Sequence, residues 1–387
     1  MITLEIPNAL RARGPSVASI IGLAGAVVLI VRARYTGQAI MPSYLFVWLF
    51  FLGLSLGSMA LVFVHNLTGG AWGELARSVL DPLVRMLPYT ALLALPLLLR
   101  LPELYPWMRS SGPVLPDFEA TQDWYLNIPF FWIRCALYFL IWIALSVLLH
   151  RWSPMQGSEA QNARPPARLL SAVGLPLYLL TTTFASIDWT MSLTPHWYST
   201  EFGLLTAFGQ SLSALAFAIL GSAWYTHGDE EALSRRFHDL GNLLLALVLF
   251  WSYLAFMQFL IMWIEDLPHD ISWYLPRAQE GWASLTLFLA VAHFAIPFLL
   301  LLFRRFKRAP RRMGLLAAIL LLACLADTFW LVIPPFRPQA FELQWNDLFA
   351  LLGVGGIWLG LLLRLVPGGL RVDNSQAQFL AQEIHHA

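Results

Sequence analysis

Hydrophobic residues in this chain come in long unbroken runs, interrupted by short polar turns and by two longer acidic, proline-rich loops. A run of about 20 apolar residues is needed to cross the hydrocarbon core as a helix. Ten stretches qualify, at about 16–31, 43–65, 83–100, 130–149, 169–188, 201–225, 241–264, 282–303, 314–333 and 347–366. The first is short, and Pro88 and Pro96 interrupt the third, which neighbouring helices can accommodate. A membrane β-barrel would alternate apolar and polar residues over segments of about ten; these runs do not. The pattern predicts an all-α integral membrane protein, with 1–387 as a single polytopic domain.

A weak internal echo suggests further order. Span five ends in Asp188-Trp189, and span nine carries Asp327 followed by Trp330; span two ends at His65 and span six at His227. Spans 2–5 and 6–9 then read as two four-helix bundles, flanked by helices 1 and 10, a symmetry familiar among membrane proteins.

Composition agrees with a lipid environment. Of 387 residues, 58% are hydrophobic and only 12% charged, where a soluble domain carries about 25%. A net charge of +1 offers no footprint for nucleic acid. Arg32, Arg34, Arg100, Arg109, Arg134, Arg277 and Arg337 fall on one side of the spans, leaving 17 of the 24 basic residues on the side of the termini. The positive-inside rule then places both termini on the cytoplasmic side of the membrane, with about 15 cytoplasmic residues before span one and a tail at 367–387. The N-terminal run is expected to stay in place as a signal anchor.

Candidate chemistry is sparse. Cys135 and Cys324 lie inside apolar runs and read as small hydrophobes. With no CxxC or CxxCH, the chain signals neither a protein-held cluster nor covalent haem. No metal-ligand spacing, phosphate loop or catalytic triad is evident, so no catalytic or metal residue is assigned. A bis-histidine haem needs two facing histidines at depth, and only His293 lies deep.

An ionisable group inside the membrane is costly and marks a functional candidate. His293 sits mid-span in span eight, and Pro297 removes the amide that would bond its carbonyl; its bland partner would be a serine or Tyr253. Asp327 lies in the outer half of span nine. At the junction of spans five and six, SIDWTMSLTPHWYSTEFG (186–203) brings Asp188, His196 and Glu201 among Trp189, Trp197 and Tyr198. This is either an interfacial turn with solvated charges or the mouth of a quinone- or proton-handling site. Asp188, His196, Glu201, His293 and Asp327 are the proton-transfer candidates; Asp188, His196, Trp189, Tyr253 and Gln258 are the quinone-binding candidates. His65, His150, His227 and His238 read as solvated residues at helix ends.

The 186–203 motif and HDLGNLLLALVLFWSYLAFMQFLIMWIEDLPHDISWYLPR (238–277) resemble the ActF subunits of bacterial alternative complex III, within the NrfD-like membrane proteins. The resemblance implies a cofactor-free membrane subunit of a quinol:cytochrome c oxidoreductase, contributing proton translocation and a candidate quinone site. It implies an ActC-like paralogue, an iron–sulfur subunit and c-type cytochromes as partners, with the iron–sulfur clusters and haem c held by those partners, and a cytochrome oxidase as a further neighbour. The alternative is a purely structural anchor for periplasmic redox subunits or an oxidase.

Overall fold

A computed structural model describes residues 2–4, 7–35, 39–108, 124–152, 165–194, 197–339, 341–366 and 370–372. Among the described residues, ten helices are long and apolar enough to cross a membrane: α1 (Asn8–Tyr35), α2 (Met41–Thr68), α3 (Ala71–Leu98), α4 (Ile128–Trp152), α5 (Pro165–Trp189), α6 (Phe202–Tyr225), α7 (Glu230–Glu265), α8 (Trp282–Leu302), α9 (Pro310–Val332) and α10 (Trp345–Leu365). The chain is a multi-pass membrane protein.

Local chemistry sets the helix ends. Asp229 caps α7 by accepting the Glu231 amide at 3.1 Å, a bond that satisfies one of the free first-turn donors. A capping box between Gln344 and Asp347 starts α10. Helix α3 runs as Ala71–Val84, Leu87–Leu93 and Leu95–Leu98, and Pro88 and Pro96 sit at the starts of the second and third runs. Each proline removes an amide from the ladder, which breaks the helix there.

Two helices begin earlier than their hydropathy indicates, α3 at Ala71 and α7 at Glu230. Their first turns carry charges, so the apolar pattern alone reads them as loops. Arg236 of α7 joins Glu74 of α3 at 2.7 Å, and Arg77 bonds Asp81 one turn on at 3.2 Å. Paired in this way, the charges let both helices extend. His65, expected to be solvated, is buried beside them against Trp72, with Nε2 3.1 Å from the Gly70 carbonyl.

Three short strands depart from the purely helical expectation. β1 (Ile2–Leu4) is central and antiparallel to both β2 (Thr226–Gly228) and β3 (Leu370–Val372). The sheet gathers the N-terminal segment, the α6–α7 turn and the segment after α10 on one face. Both ends of the described chain therefore share a side, as an even number of spans requires.

Helices α2 and α6 form the centre. The most apolar window of α2 is 78% buried and that of α6 61%, against 22% for α1 at the edge. α2 packs on α3, α5, α6, α9 and α10, while α6 packs on α2, α3, α5, α7 and α9. Close approach depends on missing side chains: a Cβ on Gly57 of α2 would meet the Gln210 backbone of α6. Where α1 crosses α10, a Cβ on Gly356 would lie 2.6 Å from the Gly22 backbone. Small residues at such crossings let helices approach without a hydrophobic driving force between them. Gly57→Val is expected to force α2 from α6 and to cost about 1–3 kcal/mol, the usual penalty for overpacking; a lowered unfolding midpoint in detergent micelles checks it, and an unchanged midpoint would refute that packing.

Candidate functional site

The 186–203 junction is not a solvated turn at Asp188. That residue lies one position before the end of α5 and is fully enclosed, with no exposed surface. Arg134 of α4, also buried, donates Nε and Nη2 to its two carboxylate oxygens at 2.9 and 2.8 Å, and the Tyr138 hydroxyl donates to Oδ2 at 2.7 Å. The remaining Arg134 nitrogen bonds the Tyr125 carbonyl at 2.7 Å, and the guanidinium lies 4.0 Å above the Tyr125 ring. Burial, and then the Asp188 charge, push the Tyr125 phenol above its ordinary value and keep it protonated. A bidentate pair of this kind is strong and geometrically specific.

Aromatic rings fill the space around that pair. Trp189 stacks on Phe139 at 5.8 Å, meets Trp48 edge-on at 5.0 Å, and donates its indole N–H to the Cys135 sulfur at 3.3 Å. Trp142, wholly buried, donates to Thr181 at 2.8 Å. Asp188 and Trp189 thus sit in a filled interior, both carboxylate oxygens engaged.

A cavity of about 830 Å³ lies elsewhere, among α6, α7, α8 and α9, with Leu49, Phe50 and Gly53 of α2 behind it. Its volume falls in the range of small-molecule sites, roughly 300–1,000 Å³. Most of the lining is apolar, and a few polar side chains converge on it: Gln210, Gln258, Tyr274, Arg277, His293 and Asp327. Tyr253, Phe256 and Phe259 of α7 also line it and are about half exposed, so the cavity reaches the surface along that helix.

Helical spacing directs the polar groups inward. Cys324, Asp327, Thr328 and Leu331 of α9 line the cavity at intervals of three and four, which share one helix face. Asp327 is partly accessible, and that surface faces the cavity. Among the described residues, no hydrogen bond or ion pair reaches its carboxylate. In α8, the stretch Ala290–Ala295 is a π-helix, closed by the Ile296 amide bonding the Val291 carbonyl five residues back. Pro297 follows directly, so the widened turn accommodates its missing amide; such π segments frequently mark functional positions.

His293 lies in that π segment, fully buried. Its Nε2 is 3.4 Å from the Cys324 sulfur, and its ring centre is 3.9 Å from that of Trp251. The partner is thus a cysteine, not the serine or Tyr253 expected from sequence. Among the described residues, Nδ1 has no hydrogen-bond partner. Cys324 and His293 form a pair of soft donors, and among the described residues no third gathers with them as a metal site would need.

Arg277, in the α7–α8 connection, closes one end of the cavity. It is buried and gives its guanidinium to three backbone carbonyls, those of Trp273, Trp330 and Leu331, at 2.6, 3.1 and 2.9 Å. Its head also lies 3.5 Å over the Trp273 ring. Burial pushes the group down to about 9, opposed by Tyr274 and by the Asp327 charge, so it stays cationic at neutral pH. Burial raises the Tyr274 phenol to about 12. Gln258 links Ser199 and Tyr274, at 3.2 and 3.4 Å.

The sequence candidates therefore separate into two groups. His293, Asp327, Gln258 and Tyr253 line one cavity, whereas Asp188 and Trp189 belong to the filled interior. Glu201 stands just before α6, its carboxyl pushed up by burial, and it lies close enough to influence Tyr274. His196 lies outside the described residues. Sequence reading missed Arg277 and Cys324 as site residues. The Trp273–Arg277 spacing of four offered a signal for the first; for the second, only the facing helix reveals the partner. No protein-family model matches the chain, and no curated protein does.

The two aspartates should respond differently to neutralisation. Asp188→Asn leaves Arg134 buried without its counter-charge and is expected to destabilise the chain by about 3–5 kcal/mol. Asp327→Asn removes no direct partner and is expected to change stability by less than about 1 kcal/mol. Denaturant unfolding of both variants in mixed micelles compares them directly; equal losses would contradict these environments.

Proposed function

We propose that this chain is a membrane subunit of a quinol:cytochrome c oxidoreductase similar to the ActF subunits of alternative complex III. In this reading it lies in a bacterial cytoplasmic membrane with both termini inside. The helices form two four-helix bundles, α2–α5 and α6–α9, with α1 and α10 flanking. Matching contacts support that division: α2 packs on α3 and α5, and α6 packs correspondingly on α7 and α9.

The single observation carrying the reading is the lipid-facing cavity in the second bundle, with Asp327 unpaired and His293 beside it. A quinone enters along α7, its ring among aromatic side chains and its oxygens near Asp327, His293 and Gln258. Asp327 and His293 exchange protons with the bound ring, roles that imidazoles and enclosed carboxylates suit. Electrons leave through iron–sulfur and c-type haem groups of partner subunits, which include an ActC-like paralogue and, further on, a cytochrome oxidase. Asp188, held by Arg134 and Tyr138, seals the first bundle rather than relaying protons.

The filled first bundle favours a second reading, a structural anchor for periplasmic redox subunits. Turnover separates the two. In the assembled complex, Asp327→Asn is expected to lower quinol-driven cytochrome c reduction by about tenfold or more, with all subunits still co-purifying. Ala290→Trp, which narrows the cavity, should do the same. Full turnover in both variants would leave the anchor.

A further inference from the structure

No acidic residue occurs between Glu280 and Asp327, yet that stretch carries RRFKRAPRR (304–312) at the turn from α8 to α9. Arg304–Lys307 form a single helical turn, held by the Phe306 and Lys307 amides, which donate to the Phe303 carbonyl at 3.0 and 3.2 Å. Lys307 is buried and anchors the turn to α7. Its ammonium donates to the Asn242 side chain at 2.6 Å, and a Cβ on Gly241 would lie 2.7 Å from its stem. With Lys307 turned inward, Arg304, Arg305, Arg308, Arg311 and Arg312 stay exposed. Among the described residues, none of these five guanidiniums forms a hydrogen bond or an ion pair. On the same face Arg235 pairs with Glu231 and Arg236 with Glu74. Arg311 and Arg312 also lie in the first turn of α9, which has no acidic residue, so they add charge to the positive end of that helix. The turn concentrates uncompensated positive charge that an external anion would neutralise.

The apolar side chains beside the turn indicate which anion. Leu315, one helical turn beyond Arg311 on α9, is 62% exposed, and Leu299 and Leu302 at the end of α8 are 56% and 54% exposed. Residues three or four apart share a helix face, so the arginines stand at the rim of two apolar faces, where an amphiphile meets both. Guanidinium groups bind phosphate oxygens in pairs, and clusters of four to eight basic side chains beside a membrane span attract anionic headgroups. A single phosphodiester presents two free oxygens, so five guanidiniums suit a lipid with two phosphates. We propose that the 304–312 turn is a binding site for an anionic phospholipid of the cardiolipin type. Its phosphates lie on the five arginines, and its acyl chains lie along the exposed leucines of α8 and α9. The site is separate from the cavity, and the inference does not rest on the function proposed above.

Native mass spectrometry of the intact purified chain in detergent micelles, titrated with tetraoleoyl cardiolipin, measures the affinity. The double variants Arg304→Gln/Arg305→Gln and Arg311→Gln/Arg312→Gln should each weaken binding at least about tenfold, since one basic side chain at a membrane surface contributes roughly fivefold. Arg151→Gln/Arg168→Gln removes the same charge from exposed positions on the same face and should change the affinity by less than about twofold. Phosphatidylcholine should bind the unaltered chain at least about tenfold more weakly than cardiolipin, and inorganic phosphate should not displace the lipid. Lys307 is kept in every variant to hold the turn, and unfolding midpoints measured in parallel separate a lost site from a lost fold. Equal losses in all three variants would reduce the effect to overall charge, and displacement by inorganic phosphate would make the turn a simple anion site. Either result, or equal affinity for phosphatidylcholine, would overturn the assignment.

Discussion

An ion carried into a medium without water must find its compensation within the protein, and this chain does so unequally. Asp188 receives a two-pronged arginine and a tyrosine hydroxyl. At another helix junction Arg337 grips Asp347 through both nitrogens, at 2.8 and 3.0 Å, and Ser43 donates to the same carboxylate at 2.6 Å. Among the described residues, Arg277 has no carboxylate in contact and rests on three carbonyls instead. Asp327 alone among these acids faces open space, with Arg277 acting on it only at a distance. An enclosed carboxylate without a partner is a costly feature, and this one lies on the cavity wall.

Side-chain size explains why one interior is full and the other open. Tyr138, Phe139 and Trp142 on α4 meet Trp189 of α5 and leave no room beside Asp188. Facing the cavity, α8 presents Ala283, Thr286 and Ala290, while α6 presents Gly209 and Ser213. The π turn before Pro297 then seats His293 against Trp251 and Cys324. His293 therefore stands where the helix is least regular, on the same cavity as Asp327.

Much of the architecture was legible before any coordinates. Continuous apolar runs give ten spans because their length and hydropathy reflect one physical requirement, the thickness of the hydrocarbon core. The first turns of α3 and α7 were illegible because Arg236 of α7 neutralises Glu74 of α3 across helices, a pairing that no one-dimensional window contains. The strands escaped notice because three residues each, far apart in sequence, acquire their meaning only by pairing. At the site, His293 and Asp327 stood out as isolated polar residues in oil. Asp188 looked equally promising, and its status turned on Arg134, which reads in sequence as one more basic residue near a membrane surface. Cys324 carried no signal at all, since its significance comes from a histidine 31 positions earlier on another helix.

The proposal to be tested is that the cavity among α6, α7, α8 and α9 holds a lipid-borne ring beside Asp327 and His293, and that the interior around Asp188 does not. A cryo-electron microscopy map of the intact complex in nanodiscs, loaded with the host's own quinone, tests it most directly. The account predicts density for a ring in the cavity among α6, α7, α8 and α9, within hydrogen-bonding reach of Asp327 or His293, and none between α4 and α5. A cavity collapsed onto its own side chains, or a ring bound against Arg134 and Asp188, would contradict it.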